Sequence, residues 1–73
     1  MDYDLETLDV PVTGMHCDAC ARRVHAAVSA LPGVDAVDAR VGHLSVAYYP
    51  LAVSVEGIAA AVRGLGYGID LGD

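Results

Sequence analysis

The chain has 73 residues, a formal net charge of −6 and an apolar fraction of 55%, with four Tyr, no Phe and no Trp. A chain this short supports one small core and no deep catalytic cleft, so a single domain spanning residues 1–73 and built on Val, Ala, Leu and Ile is expected. Ten Asp plus Glu against four Arg and no Lys repel a phosphate backbone, which argues against nucleic acid as a partner. No apolar run approaches the ~20 residues of a membrane-spanning helix. The acidic balance either only keeps the surface solvated or steers the domain toward a basic patch on another protein. The N-terminal MDYDLETL has neither the basic nor the apolar region of a secretory signal, so a cytoplasmic location is expected. The start at Met1 and the end at Asp73 suggest a free-standing protein, although an excised domain would look the same.

In chain order, Leu8, Val10 and Val12 alternate with Thr7, Asp9 and Pro11, which predicts a strand over about 5–13. Pro11 has no N–H to donate, so its nitrogen is expected where no neighbouring strand pairs with it. Gly14 ends the alternation. Cys20, Val24, Ala27, Val28 and Leu31 then recur at helical spacing, with Arg22, Arg23, His25 and Ser29 opposite, predicting an amphipathic helix over about 18–31 that Pro32-Gly33 stops. Residues 34–41 set Val37, Ala39 and Val41 on one face, residues 43–49 set Leu44, Val46 and Tyr48 on one face, and the two runs meet at Gly42 as a β-hairpin. Ser54 is the expected N-cap of a second helix striped by Val55, Ile58, Val62 and Leu65, with Glu56 and Arg63 placed favourably for its dipole. Gly57 inside that helix costs ~1 kcal/mol against Ala, and Gly66 suits its C-terminal cap. A last strand, GIDL, turns Ile69 and Leu71 inward. The order β-α-β-β-α-β with right-handed crossovers predicts an α+β ferredoxin-like sandwich, a four-stranded antiparallel sheet with both helices on one face.

The chemistry concentrates in GMHCDAC, residues 14–20. In a reducing compartment, a C-x-x-C pair points to metal or redox chemistry before a structural disulfide. Cys17 falls in the loop after the first strand and Cys20 in the first turn of the helix, where unsatisfied N–H groups and a partial positive charge favour thiolate over thiol. Two thiolates converging on one ion select Cu(I) and other thiophilic ions over hard cations. With Cu(I) they leave one net negative charge, which a helix N-terminus accommodates. A closed zinc site takes four ligands, and the chain has no second C-x-x-C and no H-x-x-H. An open, exposed pair suits passing an ion on rather than burying it.

GMHCDAC at the first strand-to-helix junction of a βαββαβ chain resembles the heavy-metal-associated domain family, which is marked by G-M-x-C-x-x-C. GLGYGID, residues 64–70, is similar to the glycine-aromatic turn that family carries before its last strand, so the resemblance covers essentially the whole chain. It implies that Cys17 and Cys20 are the Cu(I) ligands, one ion per monomer. It implies that Met15 is a buried anchor of the loop rather than a third sulfur ligand. Tyr67 becomes a neighbour of the cysteines that limits solvent access, with an ordinary half-buried tyrosine as the plainer alternative. His16 departs from the Thr or Ser of many relatives; an imidazole can bind Cu(I) or Zn(II), but side chains next to a ligand in a tight loop diverge, and solvent is its expected direction. Asp18 could supply an oxygen ligand to a divalent ion, but a capping and dipole-compensating role is favoured. Arg22 and Arg23 form a basic spot beside the site that could help hold a thiolate–metal centre or contact an acidic partner, and two solvated helix residues are the favoured reading. His25 and His43 are expected on exposed faces.

The resemblance thus implies a cytoplasmic metallochaperone rather than an enzyme. It would take up Cu(I) and hand it to a partner with the same motif, such as a copper-transporting P-type ATPase, through an intermediate that shares the metal. Three points stay open at this stage: whether the chain is itself the N-terminal domain of such an ATPase, whether Zn(II), Cd(II) or Hg(II) takes the place of copper, and whether the monomer forms metal-bridged dimers. A thiol-disulfide oxidoreductase is the alternative from a different class. It would call for a thioredoxin-like chain with an aromatic or Pro at the motif, whereas Asp18 and Ala19 stand between these cysteines.

Overall fold

In a computed structural model of the protein, residues 5–69 and residue 71 are described. Strand β1 (Glu6–Thr13) leads into helix α1 (Asp18–Ser29), followed by the hairpin β2 (Val34–Arg40) and β3 (His43–Tyr48), helix α2 (Val55–Gly64) and the short strand β4 (Gly68–Ile69). The strands form one antiparallel sheet in the order β2-β3-β1-β4. This is the ferredoxin-like arrangement expected from the element order.

Strand alternation gives the sheet its buried face. Val10 and Val12 on β1 meet Leu44 and Val46 on β3 in a ladder that pairs Val10 with Leu44 and Leu8 with Val46. Val24 and Val28 of α1 and Ile58 and Val62 of α2 close over that face and are fully buried. Met15, Ala21, Ala59, Tyr48 and Ile69 complete the cluster. Pro11 sits where its missing donor costs nothing in the β1–β3 ladder: the Val12 N–H donates to the Gly42 carbonyl at 3.0 Å, so the Pro11 nitrogen faces the other edge. On that edge β4 pairs only with Val12 and Thr13 among the described residues.

Both helix ends follow their local chemistry. Ser54 caps α2, its hydroxyl accepting the Gly57 N–H at 3.0 Å. Gly66, at φ +95°, supplies the left-handed residue that closes the other end of α2. Helix α1 stops at Ser29 with Ala30 as its C-cap, two residues before the expected limit, because Pro32 disfavours helical geometry at the residue before it.

Three inward assignments fail or fall short. Val41, expected on the buried face of β2, lies outside the strand and is 46% exposed. Arg40 pairs with His43, so Val41 and Gly42 form a two-residue loop, and the period-2 pattern ends before Val41. Leu65, expected on the α2 stripe, follows the last helical residue and is 40% exposed. Strand β4 holds only Gly68 and Ile69 of the expected GIDL; Ile69 is buried, Leu71 packs half-buried against the core, and Asp70 lies outside the described residues.

The Ser54 cap sets a quantitative expectation. Ser54→Ala removes one side-chain acceptor from the start of α2, which costs ~1 kcal/mol and lowers the melting midpoint by about 4–8 °C in a domain of this size. Thermal denaturation followed by circular dichroism measures it, and an unchanged midpoint would show that α2 does not depend on this cap.

Candidate metal centre

The cysteines sit where β1 hands the chain to α1. Cys17 is the N-cap residue of α1, with extended backbone (φ −157°, ψ 172°), and its side chain makes no capping hydrogen bond. Its carbonyl accepts the Cys20 N–H at 3.0 Å and the Ala21 N–H at 3.4 Å, which closes the first turn and brings the side chains of residues 17 and 20 together. The two sulfurs stand 3.8 Å apart. Both thiols are free; Cys17 is exposed and Cys20 half-buried. With metal–sulfur bonds of about 2.3 Å, sulfurs at that separation can bracket one ion without any movement of the backbone.

The loop that carries the pair is fixed by two neighbours. Met15 is buried in the hydrophobic cluster and ties the loop to the core. Gly14 adopts φ +95°, and a β-carbon placed there would stand 3.3 Å from the Tyr67 ring. A side chain at residue 14 would therefore be strained by the backbone and crowded by Tyr67. The residue 14–17 loop and the residue 65–67 loop consequently touch, although they are far apart in sequence.

This contact sets the electrostatics of Cys20. Its thiol is brought down to about 7 from the usual 9.0, first by a backbone hydrogen bond from His16, then by a side-chain hydrogen bond from Tyr67, with smaller help from Cys17 and against a modest opposing cost of desolvation. The Tyr67 phenol is held above its ordinary range by the same Cys20 contact. Arg23 hydrogen-bonds to Tyr67, and this contact, followed by the negative charge of the phenol and of Cys20, raises the guanidinium further. Tyr67 thus stands between Arg23 and Cys20, and it is Tyr67 and the His16 backbone that favour the sulfur in its anionic form.

Each sequence-derived candidate finds a definite place. His16 is exposed, and it is its backbone rather than its imidazole that serves Cys20. Asp18 is the first residue of α1 and complements the dipole, but the cap is Cys17, because the extended residue that begins the helix precedes Asp18. His25 is exposed, and exposed His43 pairs with Asp9 at 3.1 Å on the outer face of the sheet. Among the described residues, no group of three or more His, Cys, Asp or Glu side chains could hold a metal ion. Arg23 corrects the reading of a merely solvated residue. It lies three positions after Cys20, and that i, i+3 spacing on one helix face is the signal that would have revealed it.

Fold and site together define a small module with two free thiols, one exposed and one half-buried, at the start of its first helix. Residues 9–68 match the heavy-metal-associated domain family, and the chain belongs to that family. Its members are modules for binding metal rather than for catalysis. Among curated proteins, the chain is 41% identical over 56 residues to the Synechococcus elongatus protein named "Probable copper-transporting ATPase PacS", covering 74% of this chain and 8% of that protein. It is 32% identical over 68 residues to the copper-exporting P-type ATPase of Staphylococcus haemolyticus, covering 90% of this chain and 9% of that one. The chain thus spans under a tenth of the length of these relatives. Among solved structures, the CopZ metallochaperone superposes with a TM-score of 0.85 at 28% identity, covering 89% of this chain and all of that one. Oxidized MerP from Ralstonia metallidurans does so with a TM-score of 0.87 at 28% identity, covering 96% and 100%.

The lowered Cys20 pKa has a direct sign. A thiol whose folded pKa lies below its unfolded value stabilises the metal-free fold fully above pH 9, and this contribution is lost as the pH falls through 7. Alkylation of Cys20 by iodoacetamide, read by mass spectrometry, should therefore reach half its maximal rate near pH 7 in the folded chain and at higher pH in Tyr67→Phe. A midpoint near 9 in the folded wild type would contradict the lowered pKa.

Proposed function

We propose that this chain takes up Cu(I), one ion per monomer, on the thiolates of Cys17 and Cys20 and passes it to a partner carrying the same pair of sulfurs. The carrying observation is the 3.8 Å separation of two free sulfurs at the exposed start of α1. Soft thiolates favour Cu(I) over hard cations. The exposure of Cys17 leaves an approach for an incoming sulfur. In the exchange, an incoming thiolate forms its bond to the ion before one of the two outgoing bonds breaks, and the departing sulfur keeps its electron pair. Cys20 can leave as an anion near neutral pH, because its thiol titrates at about 7. Met15 serves by packing, and Tyr67 by hydrogen-bonding to Cys20 and limiting its access to water.

The partner class follows from the relatives: a copper-transporting P-type ATPase bearing a related domain. No helix among the described residues is long and apolar enough to cross a membrane, and we place the exchange in the cytoplasm, on a monomer acting as one domain. A second reading keeps the same chemistry. The N-terminal soluble domains of Bacillus subtilis CopA superpose with a TM-score of 0.85 at 27% identity, covering 93% of this chain and 48% of that one. This likeness favours the chain as the metal-binding domain of an ATPase, receiving the ion rather than delivering it.

Anaerobic titration of the reduced protein with Cu(I) and with Zn(II) against competing chelators tests the proposal. Cu(I) should bind one per monomer and far more tightly than Zn(II), Cys17→Ser and Cys20→Ser should each lose at least tenfold in Cu(I) affinity, and His16→Ala should leave it unchanged. Tight Zn(II) binding that disappears in His16→Ala would replace the two-sulfur site with a three-ligand divalent one. Met15→Leu, which keeps the buried volume, should hold both the Cu(I) stoichiometry and the fold. Met15→Ala should destabilise the fold by about 2–5 kcal/mol. A loss of Cu(I) affinity in a fully folded Met15→Leu would make the thioether a ligand.

A further inference from the structure

Strand β2 lies at the edge of the sheet, and among the described residues only β3 pairs with it. Which of its backbone groups face outward follows from the ladder. The Val12 N–H donates to the Gly42 carbonyl at 3.0 Å, so Gly42, Leu44 and Val46 turn their backbone groups toward β1. His43, Ser45 and Ala47 turn theirs toward β2, where they meet Arg40, Asp38 and Ala36. Val37 and Ala39 therefore point their N–H and C=O groups away from the sheet. An edge of this kind is a template for another strand. No Pro or Lys blunts β2, and its register shift lies at the far end, between Val34 and Ala36.

A strand of the same sequence can add to that edge antiparallel about a two-fold axis. Because Val37 and Ala39 carry the outward groups, few registers make hydrogen bonds, and charge separates them. An axis at residue 38 sets Asp38 opposite Asp38 of the second copy, and an axis at residue 40 sets Arg40 opposite Arg40. Like charges directly opposite destabilise a sheet. An axis at Val37 runs the pairing into the irregularity at Val34 and Ala36. An axis at Ala39 instead sets Asp38 opposite Arg40 of the second copy, and Arg40 opposite its Asp38. Within one copy these two exposed side chains already stand 3.3 Å apart, so two copies close a ring of four alternating charges. The same register brings Val41, 46% exposed, beside the half-buried Val37 of the second copy. Residues 36–41 hold one Asp and one Arg, so the net charge of −6 is not concentrated where the copies meet. On the helix side, a shallow groove of about 240 Å³ between α1 and this edge is lined by Asp18, Ala21, Arg22, His25 and Ala39. An axis at Ala39 turns the groove of one copy toward that of the other, and its mixed charges suit a surface that meets itself.

We propose that the chain pairs with a second copy of itself through the free edge of β2, with Ala39 on the two-fold axis and Asp38 and Arg40 setting the register. The dimer needs no metal. The paired stretch, Val37–Arg40, is short, so association is weak and grows with concentration. Each copy keeps its own cysteine pair, so this interface stands or falls separately from the transfer reading.

Sedimentation equilibrium of the metal-free, reduced full chain, with a chelator present, is run from about 10 µM to about 1 mM. The average mass should climb from 7.5 kDa toward twice that value. Ala39→Pro removes an N–H that a single copy leaves to solvent, so it should keep the fold by circular dichroism and stay at the mass of one chain. Asp38→Arg and Arg40→Asp should each weaken self-association roughly tenfold. An equimolar mixture of those two variants should restore it, since each like-charged edge then meets its opposite. The chain carrying both exchanges should dimerise as the wild type does. A constant mass of one chain throughout, a dimer that survives Ala39→Pro or requires added Cu(I), or a mixture no better than its components would overturn the inference.

Discussion

The uncapped start of α1 is the constraint on which the site depends. Most helices fill the N-cap position with a hydroxyl, carboxamide or carboxylate that satisfies a first-turn amide, as Ser54 does for α2. Helix α1 instead places Cys17 there, and its sulfur makes no capping bond. The positive end of the helix is left to act on the thiol pair, and the neighbouring backbone N–H of His16 turns to Cys20. A serine-like cap would satisfy the helix and remove one of the two thiols in the same step. The site therefore trades some helix stability for sulfur in the one position where both cysteines share a turn.

The rest of the fold holds that position still. Met15 anchors one flank in the core, and Gly14 allows the Tyr67 loop to come against the other. Tyr67 also meets Arg23 on α1, and the loop of residue 16 and the loop of residue 67 both act on the Cys20 sulfur. Support beneath and exposure above are complementary: Met15 holds the loop to the core while Cys17 faces solvent.

Much of this was legible in the sequence because the fold is driven by simple periods. The alternation of Leu8, Val10 and Val12 and the stripe of Val24 and Val28 each mark a buried face, and the structure buries Val10, Val12, Val24 and Val28 and half-buries Leu8. Ser54 and Gly66 mark the ends of α2 because each meets a specific backbone need. Pattern reading failed where an element ended: Val41 and Leu65 continue a period on paper, but the chain has already turned, and nothing in a period reports its own termination. Within the site, the cysteine pair was evident from spacing. The contacts of Tyr67 with Arg23 and Cys20 were not, because they join α1 to a loop more than forty residues later, and only the packing of Gly14 against Tyr67 brings the two together.

The central claim is that two sulfurs at the start of α1 suffice to hold the ion. X-ray absorption at the copper edge of the Cu(I)-loaded, reduced protein tests this most directly, since it counts the atoms bound to the metal. The expected first shell contains two sulfur scatterers per copper and no nitrogen, and it is the same in His16→Ala. A nitrogen scatterer that vanishes in His16→Ala, or a third sulfur that vanishes in folded Met15→Leu, would contradict the two-sulfur site.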